Sequence, residues 1–132
     1  MFCNFSPDFI KVLTASHDDT AKLWDAESGE CMQTLQGHER SMRSAIFSPD
    51  SSKVLTTTAD VKVKLWDAES GECVQIFQGL GRLMMSAFCS ADPTKVLTAS
   101  HDGTAKLWDA ENGECVQTFY GHEASLRSAN FL

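Results

Sequence analysis

The sequence has no apolar run approaching the ~20 residues that cross a bilayer, so a membrane is not an expected partner. Its first residues, Met1 to Phe9, lack the basic stretch and apolar core of a secretory leader. Positive charge is scarce: 11 Lys and Arg stand against 18 Asp and Glu, for a net charge of −7. Gripping a nucleic-acid backbone needs clustered Lys and Arg, so nucleic acid is not an expected partner either. No Cys-x-x-Cys pair occurs among the five cysteines, which excludes a zinc ribbon or dithiol redox motif. There is no glycine-rich phosphate loop, carboxylate pair or metal-ligand cluster. Enzymatic activity, cofactors and metals are therefore not expected.

What is present has the composition of a soluble globular domain, 42% hydrophobic and 22% charged over 132 residues. The odd cysteine count predicts free thiols in a reducing compartment, hence an intracellular protein, cytoplasmic or nuclear. The sequon Asn4-Phe5-Ser6 needs export to be used, and nothing else points to export.

Internal repetition dominates. Lys11 to Gln36 and Lys95 to Tyr120 differ only at Asp19/Gly103, Ser28/Asn112, Met32/Val116, Leu35/Phe119 and Gln36/Tyr120. The copy between them, from Lys53 to Gln78, is more divergent but keeps the register without a gap. Trp24, Trp66 and Trp108 are 42 residues apart, as are Gly37, Gly79 and Gly121, and Cys31, Cys73 and Cys115. Cys3 and Cys89 fall outside that series.

Each copy reads as four short strands. In the second copy these are Ser41 to Phe47, Lys53 to Thr58, Lys62 to Trp66, and Glu72 to Gln78. Ser48-Pro49-Asp50, Ala59-Asp60 and Asp67 to Gly71 supply the turns. Sustained helical spacing of apolar residues is absent, so the chain is expected to be all-β.

The Trp-Asp pairs at Trp24-Asp25, Trp66-Asp67 and Trp108-Asp109, with Gly37-His38 and Gly121-His122, resemble WD-repeat β-propellers over essentially the whole chain. The resemblance implies blades of four antiparallel strands around a channel. The blades would occupy about 1–36, 41–78 and 83–120, with 121–132 as an extra first strand. Three blades make an incomplete ring or arc.

The family carries a structural hydrogen-bonded set in each blade. Mapped here it would be His38, Asp60, Thr58 and Trp66 in the second blade. The third would have Ser100, Asp102 and Trp108, with Leu80 where His belongs. The first would have Ser16, Asp18 and Trp24. Such a Ser-His-Asp grouping is a tie between a turn and an indole, since it lacks a nucleophile elbow and an oxyanion hole. Asp18 and Asp19 beside His17 have ligand chemistry, but a tight turn spends Asp on its own amides.

By resemblance, a protein or peptide partner binds the loop-bearing top face. The positions implied are His17, Ala59 and His101, then Ser41, Leu83 and Ser125, then Arg43, Met85 and Arg127. Leu80, Leu83, Met84 and Met85 form an apolar run that reads equally as a partner anchor or as core filling. Arg43 and Arg127 would grip an acidic or phosphorylated peptide, or else pair with Glu39 and Glu123. The leading expectation is a non-catalytic scaffold for protein or peptide binding. The alternative is a structural or oligomerising segment of a larger array. Head-to-tail self-association is a further expectation: His122 of one copy would complete the set of Ser16, Asp18 and Trp24 in another. Equally, the chain would be a piece of a longer array.

Overall fold

The computed structural model describes residues 2–37, 42–58, 62–78, 84–100 and 102–120, without the side chains of Phe2, Met84 and Met85. Twelve strands and no helix occur among them. The first sheet holds β1 (Phe2–Phe5), β2 (Lys11–Ala15), β3 (Ala21–Asp25) and β4 (Cys31–Leu35). The second holds β5 (Met42–Phe47), β6 (Lys53–Thr58), β7 (Val63–Asp67) and β8 (Cys73–Phe77). The third holds β9 (Met84–Cys89), β10 (Lys95–Ser100), β11 (Ala105–Asp109) and β12 (Cys115–Phe119). Within each sheet the strands follow chain order and pair antiparallel. The chain is thus all-β, three four-stranded blades in an incomplete ring.

Alternation along the strands places the core between blades rather than inside one. Val54 and Leu55 are neighbours on β6 and point to opposite faces. Val54 joins Leu13, Leu23 and Leu35 of the first blade, together with Trp66 and Phe47. Leu55 joins Leu65, Phe77, Val96 and Trp108 in the layer shared with the third blade. Phe77 meets the Trp108 ring edge-on at 6.0 Å between centroids. Such a contact adds about 1 kcal/mol to the burial of the two rings.

Each outer strand carries an extra residue. Leu65 pairs with Gln75 and Trp66 with Cys73, which leaves Val74 bulged. Met32 and Val116 occupy the same bulge in the other blades. Cys31, Cys73 and Cys115 begin these outer strands as exposed free thiols, whereas Cys89 is buried.

Candidate functional site

The turns are built from carboxylates. Asp25, after its Trp, accepts from the amides of Glu27 at 2.9 Å and Ser28 at 2.8 Å. Asp67 does the same for Glu69 and Ser70, and Asp109 for Glu111 and Asn112. At the turn between second and third strands, Asp18 accepts from Thr20 through its amide at 3.1 Å and hydroxyl at 2.6 Å. Asp102 repeats this with Thr104 at 3.0 and 2.6 Å. At the first turn, Asp50 accepts from the hydroxyls of Ser48 and Ser52, both at 2.7 Å.

Donors converging on a carboxylate favour its ionised form. Thr20 holds Asp18, and Thr104 holds Asp102, below the usual carboxylate range. The Ser70 amide leads in bringing Asp67 down to about 2; burial opposes it, and Lys53 at 3.1 Å assists. These acids are committed to holding turns, the opposite of a general acid poised near neutrality.

The indoles anchor the same turns from behind. Trp24 Nε1 donates to Thr14 Oγ1 at 2.9 Å, Trp66 Nε1 to Thr56 at 2.8 Å, and Trp108 Nε1 to Thr98 at 2.9 Å. This corrects one member of the expected sets: Ser16, Thr58 and Ser100 do not accept these indole N–H bonds. Ser16 Oγ accepts the Asp18 amide at 3.3 Å, and Ser100 Oγ the Asp102 amide at 3.4 Å. Thr58 Oγ1 accepts the Lys62 amide at 3.3 Å. Register explains the exchange. Val12 lies opposite Trp24, and Thr14, two residues on, shares its sheet face. His38, Asp60 and His122 lie outside the described residues.

At the expected partner face, two side chains are described and both are exposed: His17 and Arg43. Arg43 is a bulge residue, since pairing jumps from Met42–Thr58 to Ser44–Thr57. A bulge turns the side chain out of the alternating pattern. Met85 has the same position in the third blade, between the pairs Ser100–Met84 and Ala99–Ser86. Arg43 and the turn after Ala15 that carries His17 lie at the same end of their sheets, as the pairing of Met42 with Thr58 requires. Ser41, Ala59, Leu83, His101, Ser125 and Arg127 lie outside the described residues, as does Leu80. No group of three or more His, Cys, Asp or Glu is placed to hold a metal among the described residues. No helix among them is long and apolar enough to cross a membrane.

The opposite end of each blade junction is grooved. Between the second and third blades, Val74, Pro93, Thr94, Asp109 and Glu111 line a groove of about 500 Å³. Between the first and second, Met32, Ser51, Ser52, Asp67 and Glu69 line one of about 310 Å³. Across each junction a glutamine spans the gap. Gln33 Nε2 donates to the Glu69 carbonyl at 2.7 Å, and Gln75 Nε2 to the Glu111 carbonyl at 2.9 Å. Nothing in the glutamine spacing alone announces these bonds; they follow from the blade stacking.

The chain is 47% identical to the Denticleless protein homolog of Mus musculus over 38 residues, 29% of this chain and 5% of that protein. It is 50% identical to WD repeat-containing protein 86 of Homo sapiens over 36 residues, 27% of this chain and 10% of that one. It is 40% identical to guanine nucleotide-binding protein subunit beta-5b of Danio rerio over 42 residues, 32% of this chain and 11% of that one. The matched segments thus span a small part of each relative. WD-repeat proteins generally act as protein-interaction scaffolds and are typically non-catalytic. The model of the family "WD domain, G-beta repeat" matches residues 1–25, 29–67 and 71–109. With three matches covering most of its length and three four-stranded blades, the chain belongs to the WD-repeat family.

Proposed function

We propose that this chain is a non-catalytic scaffold that holds a protein or peptide at the end of the blades bearing His17 and Arg43. The observation that carries this reading is the bulge at Arg43. It aims an exposed guanidinium out of the sheet, at the same end as the exposed His17. A guanidinium presents a planar fork of donors suited to carboxylates and phosphates, so an acidic segment is the preferred ligand. By repeat position Ser41, Ala59, Leu83, Met85, His101, Ser125 and Arg127 belong to the same face. The commitment of the turn carboxylates to backbone amides supports a binding role over catalysis. One matched relative is named as a subunit, which fits a protein that works inside an assembly. The exposed free thiols Cys3, Cys31, Cys73 and Cys115 fit an intracellular setting, cytoplasmic or nuclear.

The test is site-specific photocrosslinking in cells. A crosslinker at position 43 should capture a partner, and Arg43→Ala should abolish that capture when the crosslinker sits at position 17. A crosslinker at Glu30, at the other end of the blade, should not capture it. Capture from Glu30 with none from position 43 overturns the reading.

A second reading, a structural or oligomerising segment, is favoured by the open outer strand of the third blade. Phe119 and Tyr120 there are 48% and 80% exposed.

A further inference from the structure

The two blade junctions are copies of one design, and the outer surfaces of the first and third blades carry its two unmatched halves. On the giving side, Gln33 and Gln75 latch onto the following blade. Gln117, the third in the series, is exposed on β12. Leu35 and Phe77 are 0% and 1% exposed beneath the following blade, whereas Phe119 at the same position is 48% exposed. Val74 and Met32 line grooves; Val116 shares their bulge and is 49% exposed. The inner strand β10 is buried on both faces, so the open surface is the outer strand.

On the receiving side the first blade shows the complement. Trp66 and Trp108 are each 3% exposed. Trp24 and Val12 stay half-buried, where Val54 and Val96 are fully covered. A Cβ at Gly71 would meet Gln33 Oε1 at 2.5 Å and one at Gly113 would meet Gln75 Oε1 at 2.8 Å, yet a Cβ at Gly29 meets nothing within 4 Å. The socket beside the Glu27 carbonyl is therefore built and open.

The departures from the repeat sharpen the match. Ser51-Ser52 and Pro93-Thr94 face the bulged residue of the preceding blade, and their counterparts in the first blade are Phe9 and Ile10, 73% and 57% exposed. Gln36 and Gln78 have Tyr120 as their counterpart, 80% exposed. Both outer surfaces have thus exchanged polar residues for apolar ones at the positions that would touch.

We propose that β12 of one copy of this chain docks on the first blade of a second copy and remakes the native junction. Gln117 donates to the Glu27 carbonyl, Phe119 covers Trp24, and Val116 packs on Phe9 and Ile10. The contact is head-to-tail, so two copies close on each other through two identical junctions. The inference rests on the blade assignment and is independent of the partner reading above.

The experiment uses two exposed positions on opposite halves, Ile10→Lys and Val116→Asp, with circular dichroism to verify that each variant keeps the sheet. Light scattering of the wild type should give twice the chain's 14.5 kDa. Each variant alone should associate at least about tenfold more weakly. Mixing the two should restore the dimer, because the mixed pair contains one unaltered junction and one with introduced charges of opposite sign. Monomeric wild type at about 100 µM overturns the proposal. So does an Ile10→Lys protein that dimerises normally, since that places the contact between two β12 strands.

Discussion

Gln75 donates its side-chain amide to the Glu111 carbonyl of the next blade at 2.9 Å, over a glycine, Gly113, at φ 74°. Positive φ costs a non-glycine residue roughly 1 kcal/mol. Gly71 carries a second constraint, because a Cβ would intrude on the Gln33 amide at 2.5 Å. Gly29, at φ 76°, has the same backbone with no neighbour. Gly71→Ala should therefore lower unfolding free energy by more than Gly29→Ala. Urea denaturation of both variants checks this, and equal losses would show that the latch adds nothing to the turn.

Thr56→Val keeps the shape of a fully buried side chain and removes the acceptor of the Trp66 indole. An unpaired buried donor costs about 1–3 kcal/mol. Thr14→Val should cost less, because Trp24 is half-buried and water reaches its ring. Thermal melts of the two variants should differ in that order.

Asp67 has its pKa lowered from 3.8 to about 2 in the folded chain. The unfolded carboxylate takes a proton first as pH falls, so Asp67 stabilises the fold above pH 3.8 and loses that contribution as pH falls through about 2. Asp67→Asn should be less stable than wild type near neutrality, by no more than about 2 kcal/mol given partial exposure. The difference should shrink across this acid window in a denaturant titration.

Burial pushes the Cys89 thiol up to about 12, with Asp50 adding to the shift. Cys31 and Cys115 are exposed. Iodoacetamide in native buffer should label Cys31 and Cys115 and spare Cys89, and denaturant should equalise them. Mass spectrometry of the digested chain reads the pattern. Labelling of Cys89 at the same rate would mean that the layer between the second and third blades opens readily.

Ser86 Oγ is buried without a hydrogen-bond partner among the described residues. Its counterpart Ser44 shares a 2.7 Å bond with Thr57, where the third blade has Ala99. Ser86→Ala should raise stability by about 1 kcal/mol. A lower melting temperature would show that the hydroxyl is satisfied.

Strand positions were legible because turn residues fall at fixed intervals. The four strands read in the second copy differ from β5 to β8 by a residue at a few ends, and β6 by none. The indole acceptors were harder. Thr14, Thr56 and Thr98 recur every 42 residues, but so do many positions. Choosing among them takes the cross-strand register, which puts Val12 opposite Trp24 and Thr14 on the same face. The bulges at Arg43 and Met85 were illegible for a similar reason: an unpaired residue is a property of two strands aligned, not of one.

The offset between sequence period and blade has a consequence for how such a chain changes length. The family match spans 29–67, which takes β4 from one blade and β5 to β7 from the next. Every junction uses the same turn, the same latch and the same register. Unequal recombination that removes or inserts one whole period therefore rejoins strands into complete sheets wherever the crossover falls. The near-identical stretches Lys11 to Gln36 and Lys95 to Tyr120 are the substrate such an exchange requires.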